Sequence, residues 1–149
     1  MKQTTLMLAL ILSIAANSQC STFSVGLEGG YSIGHAPIAG ANFGVNFKEI
    51  NFRVGFDAHL TNKTGDGAVF YSRMGHTFDL GDRWYVSPGI GYAFIYRSAE
   101  QKWLNGGEAY YNMEGGYKFE QKGEPLSLYL GVSKAGDLKL ISIGLHAYF

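Results

Sequence analysis

One cysteine, three prolines and a charged fraction of only 16% set this chain of 149 residues apart from an average soluble domain. A single cysteine, Cys20, excludes an intramolecular disulfide. The few charges balance, 12 basic against 12 acidic, so no net positive field attracts nucleic acid. The 21 glycines have no period of three, which excludes a collagen-like rod. With 15% aromatics the chain is too apolar to stay disordered. Past residue 20 no apolar run approaches the ~18 residues that a spanning helix requires. His35, His59, His76 and His146 share no ligand spacing, so no metal site is expected. No glycine-rich run leads into a helix, which removes phosphate loops, and no cofactor is expected. Asn62-Lys63-Thr64 fits a glycosylation sequon but reads as a turn.

What is present begins with an export leader. Met1–Lys2 supplies a positive start, Leu6–Ala16 an apolar run, and Ala16-Asn17-Ser18 a small-residue cleavage pattern. The run is too short to span a membrane as a helix. Cleavage is expected before Gln19, which divides the chain into a signal peptide, 1–18, and one domain, 19–149. A lipobox wants a small residue directly before its cysteine, and Gln19 is not one, so Cys20 is expected to keep a free thiol.

From Thr22 onward the pattern has period two, the strand period. Eight alternating segments follow one another with no linker and no helix. The first has Phe23, Val25, Leu27, Tyr31 and Ile33 on one face, and Ser24, Gly26, Glu28, Gly30 and Ser32 on the other. The last has Ile141, Ile143, Leu145, Ala147 and Phe149 opposite Leu140, Ser142, Gly144, His146 and Tyr148. The fourth, 68–78, is less regular, with Ser72 and His76 intruding on its apolar face. Pro88 in the fifth cannot donate a ladder hydrogen bond, so a bulge or break is expected there. Turns are expected at Lys48–Asn51, Asp79–Arg83 and Glu120–Pro125, and loops at Gly34–Pro37, Thr61–Gly67, Ser98–Gly107 and Lys134–Asp137. An even number of strands suits a closed bacterial barrel. Residues 19–149 leave room for eight spans of ~9–11 residues each, and not for a large porin.

Alternation does not say which face is inside. In a soluble barrel the apolar face lines the cavity and the polar face meets water. Here the polar face is rich in glycine, including Gly26, Gly40, Gly55, Gly116, Gly131 and Gly144, where a solvated surface would carry Lys, Glu and Thr. Glycine suits a narrow lumen with strongly curved strands and large neighbours such as Arg73, Tyr85 and Tyr129. Aromatics lie near the ends of the apolar face, among them Phe23, Tyr31, Phe47, Trp84, Tyr117 and Phe149, as interfacial girdles do. The reading is an all-β fold, an eight-stranded antiparallel up-and-down transmembrane β-barrel behind a cleaved signal peptide.

The whole domain resembles the small outer-membrane β-barrel proteins of the OmpX and OmpA type. Architecture carries the likeness, with the final strand, in which Ile143, Leu145 and the terminal Phe149 resemble the signal read by the barrel-assembly machinery. The resemblance implies a Gram-negative outer membrane, periplasmic termini, outer-membrane lipid and the assembly machinery as partners, and a monomer. It fixes no single activity, since such barrels serve as structural elements, adhesins, small channels or lipid-modifying enzymes.

The constellation of most interest is the charged polar face: Glu28, Arg53, Asp57, Arg73, Glu114 and Lys118, with His59, His146 and several tyrosines. Charges away from water must be paired, and eight strands enclose little more than their own side chains. A salt-bridge network that plugs the lumen is therefore favoured over a selective pore. A lipid-A-modifying enzyme would need a His with a Ser or Asp near the outer leaflet. Asp57, His59 and Thr61 come nearest, but no His-x-Ser pair occurs. The expectation is a non-catalytic barrel, structural or interacting at the surface, with a narrow channel for ions or small hydrophobic solutes as the alternative.

Overall fold

The computed structural model describes residues 21–33, 36–60, 66–97, 102–103 and 107–149. The expected leader, its cleavage site and Cys20 lie outside the described residues, as do His35 and parts of three expected loops.

Ten β segments follow in chain order: β1 (Ser21–Ser32), β2 (Pro37–Phe47), β3 (Ile50–His59), β4 (Asp66–His76), β5 (Phe78–Asp79), β6 (Trp84–Arg97), β7 (Lys102–Trp103), β8 (Glu108–Gln121), β9 (Glu124–Ala135) and β10 (Leu138–Tyr148). Each long strand pairs antiparallel with its neighbours in sequence, and β10 pairs with β1, which closes the sheet. The two-residue β5 prolongs β4 against β6, and β7 folds back on the end of β6. Eight long strands thus form an up-and-down barrel without an edge. The seam is completed by Phe23 and the terminal Phe149, whose backbone amides and carbonyls exchange hydrogen bonds of 3.1 and 2.9 Å.

The register fixes the tilt. Opposite partners run from Thr22 through Asn46, Asn51, Gly75, Gly89, Asn112, Ser133 and Leu140, and return to β1 at Ser32. One circuit is therefore displaced ten residues along β1. A stagger of this kind tilts the strands by roughly 35–45° and sets a small radius.

Burial along the strands is inverted relative to a protein dissolved in water. In β10 the exposed positions are Ile141, Ile143 and Leu145, while Ser142, Gly144 and His146 are buried. Leu27, Leu130 and Ile90 are 68%, 59% and 60% exposed, whereas Ser24, Ser87 and Ser127 are fully buried. The apolar phase faces out all round the barrel. Aromatics mark its rims, with Trp84 and Tyr117 in an edge contact at 4.9 Å and Phe47 and Phe52 in another at 6.1 Å.

The strands run longer than expected and the hairpins are tighter. Three connections are reduced to Lys48–Glu49, Lys122–Gly123 and Gly136–Asp137. Lys122 and Gly123 both have positive φ, 54° and 87°, the conformation that matches a two-residue turn to the strand twist. Pro88 does not break its own strand. The interruption falls opposite, where the ladder skips His76 and Thr77 between the pairs Gly75–Gly89 and Phe78–Val86. The Thr77 amide points to the other side and donates to the Glu49 carbonyl at 2.6 Å, which extends the β3–β4 pairing one step beyond Ile50–His76.

Candidate functional site: the barrel lumen

Inward positions come from the polar phase of every strand, and the register decides which of them meet. Large and absent side chains alternate across the ladder. Gly55 lies opposite Tyr71, Gly116 opposite Tyr85, Gly144 opposite Tyr129, and Gly26 opposite His146. A Cβ at any of these glycines would run into the facing ring. The rings lie flat across the space the glycines leave, so glycine here is what lets aromatic side chains fill a narrow tube.

Arg53 of β3 and Arg73 of β4 are directly opposite each other. Two like charges at such a position repel. They are held by one carboxylate from the far side of the lumen. Arg53 Nη1 donates to Glu114 Oε2 at 2.7 Å, and Arg73 Nη2 donates to the same oxygen at 2.5 Å. Glu114 Oε1 accepts from the Tyr85 hydroxyl at 2.9 Å and lies 3.7 Å from His146 Nδ1. Glu114 is 1% exposed, Arg53 4% and Arg73 5%, so no water dilutes these contacts. The His146 ring stacks on Tyr129 at 4.3 Å.

Glu28 and Asp57 stand at one level, both paired across Gly40. Neither takes an arginine. Glu28 Oε1 accepts from the Tyr71 hydroxyl at 2.8 Å and from Asn42 Nδ2 at 3.2 Å. Asp57 is buried, and its Oδ1 has no hydrogen-bond partner among the described residues. Lys118 does not join the interior network that the sequence assigned it to. It sits at the mouth near the termini, 40% exposed, and donates to Asp79 at 2.5 Å. Its place in the inward phase near the end of β8 explains the difference: the lumen has already opened at that height.

Above the charged level, toward the longer loops, the lumen turns apolar. Val69, Ala93, Ile95, Ala135 and Leu138 cluster with Tyr71 and Tyr110, whose rings stack at 4.8 Å. Below it, a cavity of about 700 Å³ opens at the end that holds the chain terminus, with Arg53, Tyr85 and Tyr148 at its depth and Lys48, Asp79 and Lys118 at its rim. Asp57 and His59 both face the buried lumen, and Thr61 lies outside the described residues.

The sequence placed Glu28, Arg53, Asp57, Arg73 and Glu114 on one face and left their pairing open. The roles of Asn42 and Tyr71 as donors to Glu28 were not anticipated, although both occupy inward positions of their strands. Ile143 and Leu145 lie on the outward face of β10, and Phe149 at its end closes the seam with β1.

No family model matches the chain, and no curated protein sequence matches it. Solved structures are similar to it, two of them as follows. One is the N-terminal β-barrel domain of Pseudomonas aeruginosa OprF, 14% identical, with 86% of this chain and 97% of that chain covered at a TM-score of 0.57. Another is Neisserial surface protein A, 11% identical, with 87% and 96% covered at a TM-score of 0.50. At these identities the likeness concerns the backbone, and it establishes the fold: a closed eight-stranded antiparallel up-and-down barrel.

Proposed function

We propose that the protein is an integral outer-membrane barrel with a non-catalytic role, structural or in contact at the surface, and that its lumen is closed to ions. The membrane placement rests on the inverted burial. A belt of exposed Leu, Ile, Val and Phe around a polar interior is costly in water and favourable in hydrocarbon, where a closed sheet leaves no backbone group unpaired. The closure rests on the ion cluster. Arg53, Arg73, Glu114, Tyr85 and His146 fill the mid-section, and the apolar layer lies behind them. The cavity at the terminal end is therefore a blind pocket in this reading. Asp57 and His59 are buried in the lumen and not on the lipid-facing wall, which weighs against the lipid-modifying alternative.

Planar-bilayer recording of the folded protein tests the closure, with Arg73→Ala beside the wild type. No steady current is expected from either, because Arg73→Ala leaves the apolar layer intact. A large, steady, cation-selective current from the wild type overturns the closed lumen and favours the narrow channel. Fractionation of cells that express the full chain tests the location, and recovery in a soluble fraction overturns it.

A further inference from the structure

A second pair of like charges lies on the outside of the barrel. Lys134 of β9 and Lys139 of β10 are directly opposite each other across the ladder. Both belong to the outward phase and both are exposed. The row continues with Tyr111, paired with Lys134, and with Ile33, whose amide donates to the Lys139 carbonyl at 2.8 Å. Tyr111 and Ile33 are 56% and 51% exposed, so the two lysines border the apolar belt at its rim, beside the Gly136–Asp137 turn. No acidic side chain among the described residues pairs with either. Two like charges held face to face repel, and an anion placed between them relieves that repulsion.

A groove of about 840 Å³ leads away from this pair along the outer wall. It follows the interstrand hydrogen bonds, between the row of Met74, Ile90 and Tyr111 and the row of Met113, Val132 and Ile141. Its far end is Ile50, beside the β2–β3 turn. Five interstrand steps at ~4.8 Å separate Ile50 from Lys139, roughly 24 Å. Because the strands tilt, the groove climbs across the belt and ends at the lysines, at the loop end of the barrel.

We propose that this groove holds an acyl chain of a phosphorylated glycolipid of the outer leaflet, with a phosphate of its headgroup between Lys134 and Lys139. The inference rests on the membrane placement proposed above. The occupant is a lipid because the groove is continuous with the belt that faces hydrocarbon. It is anionic because the paired ammonium groups have no carboxylate of their own. Two ammonium groups across one phosphate give charge-assisted hydrogen bonds to separate oxygens. The β9–β10 hairpin lies at the end opposite Phe149, so the phosphate falls in the outer leaflet when the termini are periplasmic, the orientation that the proposed function carries.

The test folds the full chain into phosphatidylcholine vesicles, adds bisphosphorylated lipid A or its dephosphorylated form, and reads lipid retained per barrel. Folding is read separately from the heat-modifiable band on gels. The wild type is expected to retain the phosphorylated form in preference. Each lysine beside an anionic headgroup contributes about fivefold, so Lys134→Ala with Lys139→Ala should lower retention roughly thirtyfold with the folded band unchanged. Met113→Trp, which fills the groove, should lower retention of both forms. Equal retention by the double variant overturns the site, as does a wild type indifferent to the phosphates. Inorganic phosphate that displaces lipid A completely at equal concentration overturns the part assigned to the groove. A chain that never inserts into vesicles overturns the membrane placement and the lipid site together, a result distinct from insertion without preference.

Discussion

Two pairs of directly opposed like charges stand on opposite faces of the same barrel wall. Inside, Arg53 and Arg73 face each other and Glu114 reaches across to hold both. Outside, Lys134 and Lys139 face each other and form no ion pair with a carboxylate among the described residues. The difference follows from what surrounds each pair. A guanidinium sealed in a narrow lumen has only protein to answer it, so its counter-charge has to be encoded in the chain. An ammonium at the rim of the belt is open to whatever surrounds the barrel, and flexible lysine reaches outward. The choice of residue agrees. Arginine forms fixed, forked hydrogen bonds suited to one buried carboxylate, and lysine offers a mobile point charge.

The inner pair breaks most readily at its shared partner. Glu114→Ala leaves two buried guanidiniums side by side with no counter-charge, and the expected loss is about 3–5 kcal/mol of folding free energy. Urea unfolding of the barrel from vesicles measures it, and a shift within error of zero would mean that the cluster is hydrated and the lumen open. Arg73→Ala should cost less, about 1.5–3 kcal/mol, because Glu114 keeps Arg53 and the Tyr85 hydroxyl. The ratio of the two losses separates one shared carboxylate from two independent ion pairs, which would cost the same.

A third variant asks whether charge or packing dominates inside. Gly55→Ala places a methyl against the Tyr71 ring and should destabilise by about 1–3 kcal/mol through overpacking. Adding Tyr71→Leu should recover part of that loss while removing a donor to Glu28. No recovery would show that the hydroxyl matters more than the ring. The smallest effect belongs outside. Lys139→Glu turns repulsion into attraction opposite Lys134, and in neutral detergent it should raise stability by about 0.2–1 kcal/mol. A loss of stability in neutral detergent would mean that the lysines are already satisfied without lipid.

Particular residues show how far the sequence alone reached. Period-two alternation assigned each side chain to a face, and Leu140 and Tyr148 were placed inward with the polar phase despite being apolar or aromatic. Pro88 announced an irregularity, but Pro88 stays paired with Met113 and the lapse lies in the pairing with the other neighbour, at His76 and Thr77. Hairpin limits were blurred because polar residues such as Gln121 and Glu124 pair at strand ends as readily as they turn. Lys134 and Lys139 were read as loop or passed over, although they extend the outward phase of Val132 and Ile141. Their meaning depends on their being opposite each other.

What the sequence determined by itself is local. Backbone geometry turns successive side chains to opposite faces, so the number of strands, the composition of each face and the phase of every inward residue follow from order along the chain. Only tertiary structure decided who meets whom. The ten-residue stagger carries Arg53 and Arg73 to the height of Glu114, and leaves Glu28 and Asp57 at another level and Lys118 at the mouth. That stagger is a property of closure: it is summed over every pair of strands and can be read from no one of them.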